Sequence, residues 1–363
     1  MNNGSDSINA AAAWYASPGQ FNDVILSTRA RLVRNLANFP FPEDFRDDDS
    51  ERVQTLVFDS FSHCSTPENF QAVSTENLDP LGLKILSERG ITDTNGGTGI
   101  ILRADGKVSC TVNSRDHLRI SAFIPGLDCN GAYAMCRSVD EELQQSMQFA
   151  ASYDFGYLTS SLDDAGSGLK LSMRVHLPSL SFLNRIEPLI NFAASKGLSV
   201  SAAFGAGDRP GTSLGQYYQI STVSAMTGNE LDQITTITAM GKYLYETETA
   251  AREECRKNES TSLWDRISRS YAASRFGKLL PLREAVEIVS GVKWGLDLGY
   301  LSGTSDADLF ALLYRIQEGH LEFVLKNGTF SFEKDIEKQK DLRVMRLRAL
   351  ITQESLSTIN FVA

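Results

Sequence analysis

No stretch of this chain approaches eighteen uncharged apolar residues, and its first thirteen residues have neither a basic head nor an apolar core. Neither a membrane span nor a secretory leader is expected, and the cytoplasm is the expected compartment. Cysteine is sparse: Cys64, Cys110, Cys129, Cys136 and Cys255 are odd in number and scattered, with no Cys-x-x-Cys pair and no histidine set at zinc-ligand spacing. They read as reduced packing thiols, and no metal centre is expected. Positive charge is also short, 35 Lys and Arg against 45 Asp and Glu for a net charge of -10. The basic footprint of a nucleic-acid binder is absent, so proteins or small anions are the expected partners. There is no G-x-x-x-x-G-K-[ST] loop, and Gly205-Ala206-Gly207 lacks dinucleotide-fingerprint spacing. Asp154-Phe155-Gly156 stands without the H-R-D loop or V-A-I-K strand of a eukaryotic protein kinase.

What is present starts with Ser27-Thr28-Arg29-Ala30-Arg31-Leu32-Val33-Arg34-Asn35-Leu36, three arginines directly after the apolar Val24-Ile25-Leu26. In an acidic chain such a cluster points to an anion site, because guanidinium forks match phosphate oxygens. A solvated helix face is the plain alternative. The second cationic pattern is Lys170-Leu171-Ser172-Met173-Arg174-Val175-His176-Leu177, whose alternation places Lys170, Ser172, Arg174 and His176 on one face of a strand. Here a solvent-facing sheet surface is the alternative. His117 and His176 lack identifiable ligand partners and read as hydrogen-bonded structural histidines.

The 363 residues suffice for two domains with a large core. Residues 1–22 read as a loosely ordered tail. Ile100–Ala104 and Lys107–Val112 around Asp105-Gly106 predict a hairpin, with a third strand over Leu118–Phe123. Helical spacing is expected over 139–152 and over 180–196, the latter ending at Gly197. Composition shifts near Lys257–Ser260, and 258–363 reads as helical, with a basic last helix carrying Arg343, Arg346 and Arg348.

Taken together, several segments resemble the bacterial protein-arginine kinases of the ATP:guanido phosphotransferase (phosphagen kinase) family. Ser27 to Asn35 followed by Phe39-Pro40-Phe41-Pro42 is similar to S-S-R-x-R-x-x-R-N…P-F-P, and Asn113 to Arg119 to N-E-E-D-H-L-R. Gly156 to Gly168 resembles G-Y-L-T-S-C-P-T-N-x-G-T-G, and Gly215 to Ser221 resembles G-N-x-x-Q-I-S. The resemblance implies an α+β fold: an antiparallel sheet flanked by helices over 23–257, then a helical dimerisation and partner-binding domain over 258–363. It implies ATP or ADP with magnesium, with Arg29, Arg31, Arg119 and, with a change, Lys170 matching the family's phosphate-holding arginines; Ser27, Thr28, Ser172 and Arg174 beside them complete the expected nucleotide site. It also implies a homodimer and protein partners such as a stress-response repressor, a zinc-containing activator or the Clp protease machinery.

The same comparison exposes departures. Phosphorylating a guanidinium, which is protonated at neutral pH, requires groups that hold the fork and take its proton. The family's two glutamates fall on Ser114-Arg115 and Ala206, its reactive cysteine on Ser161, and its fifth arginine near Ser201. Arg115 places positive charge where a cationic acceptor belongs. Asp163, Asp164 and Asp208 are the carboxylates positioned in sequence to rescue the chemistry. The expectation is a weakened or inactive relative with a surviving phosphate site; the alternative is an active kinase using those displaced carboxylates.

Overall fold

The computed structural model describes residues 14–92, 97–204, 210–226, 228–258 and 260–362. Along the chain run β1 (Ile25–Arg34), α1 (Asp49–Ser62), β2 (Phe70–Ser74), α2 (Pro80–Glu88), β3 (Gly99–Arg103), β4 (Val108–Val112), β5 (Leu118–Pro125) and α3 (Cys129–Leu143). A short hairpin, β6 (Ala151–Ser152) and β7 (Gly156–Tyr157), precedes β8 (Leu169–His176), α4 (Pro178–Phe182), α5 (Ile186–Ser195), β9 (Leu198–Ala202) and β10 (Tyr217–Thr222). Then come α6 (Glu230–Asn258), α7 (Thr261–Phe276), α8 (Leu282–Asp297), β11 (Leu301–Ser302), α9 (Asp306–Arg315), α10 (Glu318–Asn327), α11 (Lys340–Ser355) and β12 (Asn360–Phe361).

The arginine run is not a surface helix. It is β1, in the interior of an antiparallel eight-stranded sheet ordered β2-β3-β4-β5-β1-β8-β10-β9. Two-residue alternation explains how so many cations fit there. Ala30 and Leu32 face one side with Leu169, Leu171 and Met173 of β8, and α3 and α6 cover them with Cys136, Val139, Ile237 and Met240. Arg29 and Arg31 face the other side. The expected hairpin and third strand are present as β3, β4 and β5, with Gly106 at φ +67° in the turn.

Three local expectations need correction. The helix expected over 139–152 is displaced: α3 runs from Cys129 to Leu143, so only 139–143 of that span is helical and Ala151–Ser152 form β6; Asp128 caps α3 by accepting from Gly131 N at 2.8 Å, and Ala132, Cys136, Val139 and Leu143 form its buried stripe. The segment over 180–196 is two helices. Asn184 takes φ +58°, and Pro188, which lacks an N–H, fits only the first turn of a new helix. Residues 14–22 are not loose, since Trp14 and Tyr15 are buried and Trp14 stacks on Phe123 at 5.4 Å; residues 1–13 lie outside the described residues.

The helical part packs directly against the sheet. Buried Trp294 of α8 donates to Ser179 Oγ at 2.9 Å, and His176 Nε2 lies 2.8 Å from Ser290 Oγ. A buried ionic chain adds to this contact: Arg252 of α6 pairs with Asp23 at 2.6 Å and Asp297 at 3.1 Å, and Lys293 bridges Asp297 and Asp306. The basic last helix is not a solvated face throughout. Arg348 is buried and donates to the carbonyls of Ile316 and Leu280, and Arg346 pairs with Glu333. Among the described residues no helix is long and apolar enough to cross a membrane.

Glu248, fully buried on α6, accepts from Ser179 N at 2.9 Å and Leu180 N at 3.0 Å. Burial outweighs these donors and Arg252, pushing its carboxyl from about 4.5 up to about 7. The folded state therefore keeps a proton that the unfolded chain has released, so this group's contribution is full below pH 4.5 and is lost as pH rises through 7. Urea melts of the parent from pH 5 to 7.5 should show stability falling relative to Glu248→Gln, by at most about 1.4 kcal/mol per pH unit.

Candidate functional site

Register assembles the cationic side chains. Arg31 lies opposite Lys170 on β8 and Ser121 on β5, Arg29 opposite Ser172 and Phe123, and Ser27 opposite Arg174. Cross-strand partners project to the same face, so Ser27, Arg29, Arg31, Lys170, Ser172 and Arg174 form one strip that Arg119, opposite Thr111 on β4, extends. Arg29 Nη2 donates to Ser121 Oγ at 3.4 Å and its guanidinium sits 5.3 Å from the Phe123 ring centre. Arg174 Nη1 donates to the Tyr314 hydroxyl at 3.1 Å. Thr28 departs from the expectation: it faces the opposite side, fully buried, donating to Gly126 O at 2.7 Å and accepting from Asp128 N at 3.2 Å. Odd and even positions of β1 cannot share a face, which removes Thr28 from the strip.

At one end the strip opens into a cleft of about 700 Å³ whose walls include Arg31, Arg119, Lys170, Ser114, Arg115, Ser161, Asp163 and Asp164. Segments distant in sequence meet there through buried Asp116, which accepts from Asn35 Nδ2 and from Ser160 N, each at 2.7 Å. Asn35 Oδ1 accepts from His117 N. His117 Nδ1 accepts from Leu36 N at 2.9 Å, so its Nε2 carries the proton and donates to Pro40 O at 2.9 Å. Burial drops this imidazole to about 4, leaving it a neutral structural group rather than a proton carrier at neutral pH. Asn113 turns the loop at φ +52°, a conformation asparagine tolerates, and donates to Ser50 O and Thr98 Oγ1.

The carboxylates are distributed unevenly. Asp164 is buried and accepts two bonds from Arg31 Nη2, at 3.0 and 3.1 Å. A rescue candidate and a phosphate-holding candidate thus engage each other. Asp163 is exposed on the cleft wall. Burial, with the Arg31 charge second, lowers the Lys170 ammonium, and Asp164 and Asp163 partly offset this. Arg115 is exposed and makes no ion pair with any described residue; Ser160 Oγ donates to its carbonyl at 2.8 Å. Ala206 and Asp208 lie outside the described residues. Sequence reasoning missed Glu43, Phe45 and Ser50, which also line the cleft; the adjacent Phe-Pro-Phe-Pro segment was the available signal.

An eight-stranded antiparallel sheet with a cationic strip and a helical appendage defines a phosphagen-kinase-type architecture. The ATP:guanido phosphotransferase C-terminal catalytic domain matches residues 53–251, and the chain belongs to that family. Residues 260–358 match the C-terminal domain of the protein-arginine kinase McsB, which narrows the relationship. Among similar proteins are the protein-arginine kinases of Halothermothrix orenii, 28% identical with 90% of this chain and 93% of that protein covered, and of Geobacillus sp. (strain WCH70), 28% identical with 92% and 93% covered. A solved lombricine kinase shares the fold at a TM-score of 0.56 and 15% identity, covering 68% of this chain and 71% of its own.

Proposed function

We propose that this protein is a catalytically weak or inactive protein-arginine-kinase-like protein, a pseudokinase that keeps a phosphate and nucleotide site and acts through protein contacts. The observation that carries the reading is the charge arrangement of the cleft. Arg115 occupies its wall uncompensated, while Asp164 is bound to Arg31. A guanidinium acceptor needs a carboxylate within hydrogen-bond reach to hold the fork and take a proton, and Arg115 repels it instead.

The residues fit ATP or ADP. Arg29, Arg31, Arg119 and Lys170 are cations on one sheet face, and guanidinium and ammonium groups are donors suited to phosphate oxygens. Ser109 Oγ and Thr111 Oγ1, on β4 beside them, are buried with no hydrogen-bond partner among the described residues. At the strip's other end an apolar cavity of about 580 Å³, walled in part by Trp14, Phe123 and Tyr314, suits a planar base. Magnesium would enter on the phosphates, with water completing its shell. In this reading residues 23–257 form the catalytic-type unit and 258–363 a unit for homodimerisation and partner binding, in the cytoplasm. Partners are of the kind the family uses: a stress-response repressor, a zinc-containing activator or Clp protease components.

A second reading, an active arginine kinase with displaced carboxylates, draws support from Asp163 and Glu43 on the cleft wall. Incubation with γ-labelled ATP, magnesium and an arginine-rich protein separates the two. The first reading expects no acid-labile phosphoarginine above background; turnover that Asp163→Ala abolishes would establish the second.

A further inference from the structure

One margin of the cleft is apolar and exposed. Leu162, between the wall residues Ser161 and Asp163, is 82% exposed, and Met226 is 53% exposed. The backbone brings Leu162 and Met226 to neighbouring segments: Ala225 N donates to Asp163 O at 2.7 Å. Two large apolar side chains this exposed on adjoining segments offer a partner apolar surface to bury. The same loop carries Ser160, whose hydroxyl binds the Arg115 carbonyl, so Arg115 stands at the other side of the loop that presents Leu162.

We infer that Arg115 and this apolar margin together dock an extended segment of a partner protein bearing an acidic side chain flanked by apolar residues. The inference rests on the reading above, in which the cleft no longer serves a guanidinium acceptor. Charge complementarity selects the acid. Of the four cations among the described wall residues, Arg31, Arg119 and Lys170 serve the phosphates in that reading, which leaves Arg115 to the partner. Asp164 is held by Arg31, and Asp163 lies within electrostatic range of Lys170. Arg115, exposed and without an ion pair among the described residues, offers a fork that a carboxylate meets with two charge-assisted bonds and that an arginine meets with repulsion. Leu162 and Met226 supply non-directional burial that a short acidic peptide alone lacks.

The test uses the full chain and three fluorescent peptides identical except for the centre of Leu-Val-Xaa-Leu-Val, with Xaa as Glu, Gln or Arg. Anisotropy titrations should rank Glu over Gln by about tenfold, with Arg weakest. Arg115→Glu should invert that order. Leu162→Ser combined with Met226→Ser should weaken all three peptides about equally, with ATP binding retained. Binding indifferent to the central residue, or an order that survives Arg115→Glu, overturns the inference. So does a dimer in sedimentation that Leu162→Ser with Met226→Ser dissociates, because a second copy would then cover the margin. Phosphoarginine formation, measured separately, counts against the functional reading; loss of the peptide ranking with phosphoarginine still absent counts against this inference alone.

Discussion

Replacing Arg34 by leucine is expected to cost about 3 to 5 kcal/mol of unfolding free energy, the range for removing one partner of a buried ion pair. Arg34 is the third arginine of the run, but it serves the fold. It is 3% exposed, its Nη2 donates to Asp140 Oδ2 at 3.0 Å, and its Nε lies 2.8 Å from Oδ1. Its Nη1 donates to Val33 O and Ser167 O, and the guanidinium lies 3.6 Å from the Tyr157 ring centre. Leucine would leave the buried Asp140 carboxylate without its counter-charge and two carbonyls without their donor. Guanidinium chloride melts should place Arg34→Leu far below the parent, while Arg34→Met combined with Asp140→Leu should recover much of the loss. Gly168→Ala should behave like Arg34→Leu: its φ is +67°, and an added Cβ collides with Arg34 Nη1 and Val33 O.

The second large effect is on ligand binding. Arg29→Ala with Arg31→Ala should reduce ATP affinity at least 100-fold, since each charged hydrogen bond contributes about 1.5 to 3 kcal/mol. Asp164→Asn should act in the opposite direction. Its carboxylate occupies Arg31 at 3.0 Å, so an incoming phosphate must displace an internal anion, and the neutral amide should tighten ATP by about tenfold. Isothermal titration of the three proteins checks both directions at once.

The strip was largely readable in advance because alternation is local. Lys170, Ser172 and Arg174 share a face wherever β8 lies, and the Asp105-Gly106 turn declares its own hairpin. The position of β1 was not readable. Nothing within Ser27–Asn35 says that the chain returns with β5 on one side and β8 on the other, and those neighbours are what convert a surface-like arginine run into an interior strand. The split between Arg29 and Arg31 on one hand and Arg34 on the other depends on Asp140, more than a hundred residues away. Asp164 taking Arg31 is equally non-local. The start of α3 is set by the Asp128 cap, a signal that lies outside the Val139, Leu143 and Met147 periodicity.

The central claim, a phosphate half without an acceptor half, is tested most directly by titrating magnesium-ATP into the protein and quantifying acid-labile phosphoarginine on an arginine-rich protein in the same samples. The predicted result is saturable ATP binding that Arg29→Ala with Arg31→Ala removes, with no phosphoarginine above background at saturation. Phosphoarginine accumulating with ATP occupancy, and lost in Asp163→Ala, would contradict it.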